Sequence, residues 1–345
     1  FPSCMGFRRS NIYPKTRDTL TGFLYTVLKR DGLDLSLSTS FSSSKSGNRV
    51  CSRVFFVPSF VILLALVNYF LAIMSLQEKT KKLKSLIQEM DHVLVAFSGG
   101  VDSTLVLAIA QEVLGSNTLA ATAQSDSLPN REMEACHKLA QEIGAEHLTI
   151  QTNEMSNPNY QANPANRCYH CKTELYSCLK KLAHEKSIPY ILNGINTDDL
   201  GDYRPGIDAA RENAVRSPLV EAGFNKQNVR DLARQMELSI WDKPAMACLS
   251  SRIPYGEPVT QEKLKMIEKA EDLLLSMGFK QLRVRHHGDT ASIELEKDDL
   301  PQFTPAIEKT VTEKFQALGF QTIHLDPKGY RMGSLNEALE EKKGL

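Results

Sequence analysis

The sequence predicts an α/β fold, a parallel sheet with helices on both faces, followed by a small C-terminal α+β domain. Three observations predict it. From Ser75 onward, short apolar runs alternate with helical stretches, the signature of a sheet covered on both faces. A glycine-rich turn joins the first apolar run directly to a helix. After Gly256-Glu257-Pro258 the order changes to helix, strand, strand, helix, strand.

Element by element, Met74-Ser75 opens a patterned helix, and Val93 to Phe97 reads as a buried strand. Ser103 to Leu114 reads as a helix, Leu119 to Ala123 as a strand, Arg131 to Ile143 as a helix and His147 to Gln151 as a strand. A helix from about Lys172 to Lys186 leads to the strand Tyr190 to Leu192. Asn225 to Met236 is helical again, and Asp242-Lys243-Pro244 marks a loop. In the last part the helix from Thr260 stops at Gly278, a residue suited to a left-handed cap. The next has Thr304 as N-cap and Pro305 at its first position, with Ile307, Val311, Phe315 and Leu318 on one stripe.

The chain has 345 residues with 41 basic and 41 acidic side chains. Average charge content and no excess of Gly or Pro exclude disorder and collagen, and zero net charge argues against a broad nucleic-acid-binding surface. Seven Cys, two of them in a tight C-x-x-C, favour a reduced compartment and metal or redox chemistry over disulfides.

Residues 1–73 stand apart. Up to residue 53 they carry Ser, Arg and Lys without a period, and Val54 to Met74 is apolar, broken by Pro58, Ser59 and Asn68. We expect an upstream extension outside the mature enzyme, with a membrane segment as the second reading. The expected domains are therefore 74–256 and 257–345, behind a leader of 1–73.

The most informative residues are Ser98-Gly99-Gly100-Val101-Asp102-Ser103, between strand and helix. Such a turn aims backbone N–H groups and the positive end of a helix dipole at one point, where an anion can sit. Gly99 and Gly100 allow close approach, and the Ser98 and Ser103 hydroxyls add donors. Asp102 would repel a bare phosphate, so it implies an intervening cation, Mg²⁺. The motif resembles the PP-loop of the ATP pyrophosphatases, which cleave ATP between the α- and β-phosphates and adenylate a substrate. The resemblance implies that Ser98, Gly99, Gly100, Asp102 and Ser103 hold pyrophosphate and Mg²⁺, and that the strand end from Thr122 to Ser125, with Ala123 and Ser125, faces the adenosine.

Cys168 and Cys171, in Arg167-Cys168-Tyr169-His170-Cys171-Lys172, are spaced to reach one metal centre from a helix start. The helix terminus, Arg167 and Lys172 are expected to favour their thiolates. Cys248, in a polar and basic loop, is the candidate third ligand. Cys136 and Cys178 lie in helical stretches and read as small buried hydrophobes. A zinc site completed by His170 is an alternative.

These segments, together with Gly194 to Gly206, Arg216 to Leu219 and Lys243 to Gly256, resemble the LarE family from Met74 to the C-terminus. Its members are ATP-dependent sulfur transferases that convert the carboxylates of pyridinium-3,5-biscarboxylic acid mononucleotide to thiocarboxylates for the nickel-pincer nucleotide cofactor. Three cysteines imply a [4Fe-4S] cluster with one open iron that carries sulfide; relatives with one cysteine, equivalent to Cys248, sacrifice its sulfur. Arg252, with Mg²⁺, is expected to neutralise charge building on the phosphates, and Ser251, Arg283 and Arg285 are read as substrate-binding, the resemblance supporting the two arginines. Strand alternation puts Arg283 and Arg285 on the face opposite Leu282 and Val284, suited to a phosphate, with pairing to Glu294 or Glu296 as the competing reading. Asp198, Asp199 and Asp202 are read as a second metal contact or a solvated turn. The expected partners are the mononucleotide and sulfide or another sulfur donor, without nucleic acid, in a cytoplasmic protein; a homo-oligomer is compatible with the chain. A tRNA-thiolating enzyme is the alternative function.

Overall fold

The first strand, β1 (Val93–Ala96), is buried on both faces: Val93 and Val95 enter one core and Leu94 the other. That double burial requires helices above and below the sheet, and the computed structural model, which describes residues 75–201, 205–244 and 247–331, has them. The expectations for residues 1–73 and for Asp202 lie outside the described residues. Among those described, no helix is long and apolar enough to cross a membrane.

Beyond β1 come α1 (Val101–Leu114), β2 (Thr118–Gln124), α2 (Asn130–Ile143), β3 (Glu146–Gln151), α3 (Arg167–Glu185) and β4 (Tyr190–Leu192). The strand order is β3-β2-β1-β4, with every pair parallel. The chain winds one way from β1 to β3 and then crosses back to the other side of β1. Such a reversal makes the carboxyl ends of β1 and β4 the usual ligand position in sheets of this kind.

One core gathers the helical residues 75–88, α1, α2 and α5 (Lys226–Gln235); the other gathers α3 and α4 (Pro205–Glu212). Helix α1 is buried from Ser103 to Ala110 without a polar face, as a central helix must be. Helix α2 buries only a stripe, Glu132, Cys136, Leu139 and Ala140. Helix α3 begins at Arg167, ahead of the expected Lys172, so Cys168 and Cys171 lie within its first turns. Cys136 is buried as expected, but Cys178 is half-exposed and donates its thiol to Glu174 at 3.7 Å.

The last part follows the expected order: α6 (Gln261–Ser276), β5 (Leu282–His287), β6 (Thr290–Leu295), α7 (Pro305–Leu318) and β7 (Thr322–Leu325). Thr260 caps α6 by accepting from the Lys263 amide, and Gly278 follows its end at φ 101°. Thr304 occupies the N-cap of α7 but makes no capping bond with its side chain. β5 and β6 are antiparallel, β6 and β7 parallel, and α6 and α7 share their core.

Gly194 shows how closely the two strand ends approach. A Cβ there would stand 2.6 Å from the Ser103 amide nitrogen and 2.9 Å from its Cα, both backbone atoms. We expect Gly194→Ala to push the start of α1 away from β4, costing about 1–3 kcal/mol by overpacking. Denaturant unfolding measures that loss, and calorimetry with Mg-ATP should show weaker binding in the same variant.

Candidate active site

The loop after β1 turns sharply into the first turn of α1. Gly99 takes φ 67°, and a Cβ would meet Cys136 Sγ at 2.7 Å, so the chain can turn there only without a side chain. Gly100 is the N-cap of α1 and provides no side-chain cap, leaving the first-turn amides uncapped at the carboxyl end of β1. The Ser103 hydroxyl donates to Gly100 O at 3.1 Å and accepts from the Ser98 amide at 3.3 Å. Ser103 therefore shapes the loop, while Ser98 lies exposed at its mouth.

Asp102 accepts from Asn196 Nδ2 at 2.8 Å. Burial raises its pKa, Asn196 opposes the shift, and the nearby Asp199 adds to it. Asp199 is itself buried, accepting from the Asn196 amide at 3.1 Å with Lys226 Nζ 3.6 Å away. Asp198 takes another course, accepting from the Lys226 amide. Of Asp198 and Asp199, it is Asp199 whose carboxylate faces Asp102. Two acids sharing a buried field suit a cation. Sequence reading missed Asn196 and also Lys243, whose Nζ is 2.8 Å from Glu132 and 3.5 Å from Gly99 O. Both lie in quoted motifs, but nothing local reveals their partners.

The strand end carrying Ala123 and Ser125 leads to Ser127, which connects this end of the sheet to the Cys248 loop. Ser125 and Ser127 hydroxyls are 3.0 Å apart, and Ser127 O accepts from the Leu249 amide at 2.9 Å. From the other side, buried Arg167 donates to Ser250 O at 2.9 Å, and Tyr160 OH lies 2.6 Å from Ser250 Oγ. The Cys248 loop is held between the end of β2 and the start of α3.

The thiols of Cys168, Cys171 and Cys248 lie within one another's electrostatic field. Thiolates were expected; instead burial pushes Cys171 up to about 12, and the enclosing protein and Cys248 raise Cys168, which solvent still reaches. Lys172 lowers both thiols and Arg167 lowers Cys168, as the sequence suggested, but desolvation outweighs them. Among the described residues no three His, Cys, Asp or Glu converge on a single ion. A multi-iron cluster takes each cysteine on a different iron, so three neighbouring thiols in two segments, with two cations beside them, fit its chemistry.

Two of the three arginines expected at phosphates are committed to carboxylates. Arg252 is completely buried, pairing Nε and Nη2 with Glu271 at 2.8 and 3.1 Å and donating Nη1 to Ala247 O and Cys248 O at 2.6 and 2.8 Å. It shapes the Cys248 loop from behind, with its guanidinium engaged by Glu271 and by the loop's carbonyls. Arg283 and Arg285 do not share an exposed face, because the loop carrying Ser251 and Arg252 packs over β5. Arg285 grips Glu294 with Nε and Nη2 at 3.1 and 3.0 Å and donates to Ser251 O at 2.7 Å, the competing pairing in buried form. Arg283 lies over the Tyr330 ring at 5.0 Å, and burial and Arg252 lower its pKa. Ser251 Oγ donates to Cys248 O at 2.7 Å.

Glu271 is the hub of this network. It also accepts from Arg131 Nη2 at 3.0 Å and from the Val284 amide at 3.2 Å. Burial opposes its charge, but Arg252 holds its carboxyl below the usual range. The pair's stabilisation is therefore complete above the ordinary carboxylate pKa and is lost as pH falls through the depressed one. We expect Arg252→Ala to cost about 3–5 kcal/mol by breaking a buried two-bond ion pair. Urea denaturation at neutral pH checks this, and Glu271→Gln in the same background should recover part of the loss.

A parallel sheet whose central strand opens through Ser-Gly-Gly-Val-Asp-Ser into a helix defines an ATP-using PP-loop domain. The NAD synthase family model matches residues 75–173. Over 266 residues, 77% of this chain and 96% of the relative, the chain is 37% identical to pyridinium-3,5-bisthiocarboxylic acid mononucleotide synthase of Lactiplantibacillus plantarum. It is 47% identical over 265 residues to an uncharacterized Synechocystis protein, covering 76% of this chain and 99% of that one. A Methanocaldococcus jannaschii protein matches at 26% over 257 residues, 74% of this chain and 98% of its own length. The chain belongs to the LarE family.

Proposed function

We propose that this protein adenylates the carboxylates of pyridinium-3,5-biscarboxylic acid mononucleotide with ATP and replaces the activated oxygen by sulfur, for nickel-pincer cofactor synthesis. The observation that carries the reading is the Leu249 amide bonded to Ser127 O, which sets the Cys248 loop beside the end of the nucleotide strand. A carboxylate is a poor electrophile; its adenylate has AMP as leaving group, and a sulfur nucleophile displaces it.

In this reading the first-turn amides of α1 and the Ser98 hydroxyl bind the pyrophosphate portion of ATP, and Asp102, supported by Asn196, holds Mg²⁺. Mg²⁺ bound there would neutralise charge on the departing pyrophosphate. Cys168, Cys171 and Cys248 are assigned to a [4Fe-4S] cluster. That cluster would supply an exchangeable sulfide at its open iron. Arg252 and Glu271 keep the Cys248 loop in place. Arg283 and Ser251 are assigned to the mononucleotide phosphate, with Arg285 bracing them through Glu294 and Ser251 O. The domains divide near residue 256, and the site of action is the cytoplasm.

The test is anaerobic incubation with Mg-ATP, the mononucleotide and sulfide. We expect AMP and pyrophosphate release to depend on the mononucleotide and to match thiocarboxylate formed. ATP cleavage indifferent to the mononucleotide, or stimulated by tRNA instead, would overturn the assignment.

A further inference from the structure

A chain of hydrogen bonds reaches the strand end beside the phosphate loop from two histidines outside the site described above. Thr122 Oγ1 lies 2.8 Å from Phe97 O and 2.8 Å from His147 Nε2. His147 Nδ1 is 3.1 Å from His137 Nδ1, and His137 Nε2 is 3.5 Å from Thr149 Oγ1.

The proton positions follow from counting donors. A carbonyl only accepts, so the single hydroxyl proton of Thr122 goes to Phe97 O. His147 Nε2 must then donate to Thr122. In a neutral ring that leaves Nδ1 as the acceptor, so His137 donates from its Nδ1. His137 Nε2 is left as an acceptor for Thr149. Burial and the neighbouring His137 lower the His147 pKa to about 4, so its ring is neutral at physiological pH.

The same segment of α2 bears on the phosphate loop in a second way. Cys136, next to His137, fills the space where a Gly99 side chain would be, and its thiol interacts with Thr122. The Phe97 and His147 rings meet edge to face at 5.7 Å. Phe97 immediately precedes Ser98, so whatever fixes its carbonyl fixes the entry to the loop.

We propose that His147 is a positioning residue for the nucleotide: held in its Nε2–H tautomer by His137, it acts through Thr122 to fix the Phe97 carbonyl and aim the turn that starts at Ser98. The proposal rests on the reading of that turn as an ATP site. It requires His137 to carry its proton on Nδ1, the form that unconstrained imidazoles disfavour.

Two measurements test it. In ¹⁵N–¹H correlation spectra of the wild-type protein, His147 should show a protonated Nε2 and His137 a protonated Nδ1; Nε2–H on both rings would overturn the proposal. In kinetics, His147→Phe keeps a ring against Phe97 but removes the donor. It should raise KM for Mg-ATP by about 3- to 10-fold, the effect of one hydrogen bond, with kcat and the mononucleotide KM little changed. His147→Gln, whose amide can donate, should restore most of the ATP affinity. Equal losses in the Phe and Gln variants, or no change in the Phe variant of an enzyme that binds Mg-ATP, would overturn the proposal alone. Absence of Mg-ATP binding to the wild type in calorimetry would overturn the reading of the turn, and this proposal with it.

Discussion

Asp102→Asn should leave the fold intact and cut mononucleotide-dependent pyrophosphate release by about 10²- to 10³-fold, the scale of losing one preorganised electrostatic group. The two side chains have the same shape, and the Asn oxygen can still accept from Asn196. Only the charge disappears. Because burial raises the pKa of Asp102, its ionised form is unfavourable in the folded protein. The sign follows: this carboxylate opposes folding once pH exceeds its ordinary pKa, so the amide should keep or slightly raise the melting temperature while activity collapses. Stopped assays for pyrophosphate beside thermal unfolding separate the two effects. Release near the wild-type rate would remove Asp102 from its assigned role.

The second large effect concerns sulfur. Cys168→Ala, Cys171→Ala and Cys248→Ala should each lose iron, acid-labile sulfide and turnover together, while the wild type purified without oxygen turns over repeatedly when given sulfide. The expectation follows from the mutual field of the three thiols and from their raised pKa values, which leave Cys168 and Cys171 as thiols until a metal displaces the protons. A sacrificial Cys248 predicts something else: Cys168→Ala keeps one round of transfer, and the wild-type protein emerges lighter by one H₂S at Cys248. Intact-protein mass before and after reaction decides. Stoichiometric dehydroalanine at Cys248 would reject the cluster.

The parts of this architecture that depend on neighbouring residues were legible in the sequence. Alternating apolar runs and helical stretches marked the parallel sheet, and Ser98 to Ser103 marked its ligand end, because a strand, two glycines and a helix start are all local features. Partners far along the chain were not legible. Asn196 meets Asp102, and Lys243 meets Glu132, only after β4 has crossed back beside β1 and the Lys243 loop has reached α2. The Arg283 and Arg285 alternation was sound, but period two says which residues share a face and nothing about what covers it. The cysteines failed similarly. Adjacent cations are visible in the sequence, whereas desolvation depends on tertiary packing such as the cluster of Tyr160, Leu249, Ile253 and Ile267 against Cys171.

Glu271 bears on how this chain can change over time. One carboxylate receives Arg131, Arg252 and the Val284 amide, groups from three segments distant in sequence. Substitution at Arg252 or Glu271 costs the other its two-bond partner: Asp is one methylene shorter than Glu, and Lys cannot form Arg252's two parallel bonds. Drift at these positions must therefore be concerted, passing through destabilised intermediates or not at all. A transplant of the Cys248 loop into another scaffold would need Arg131, Arg252 and Glu271 to travel with it.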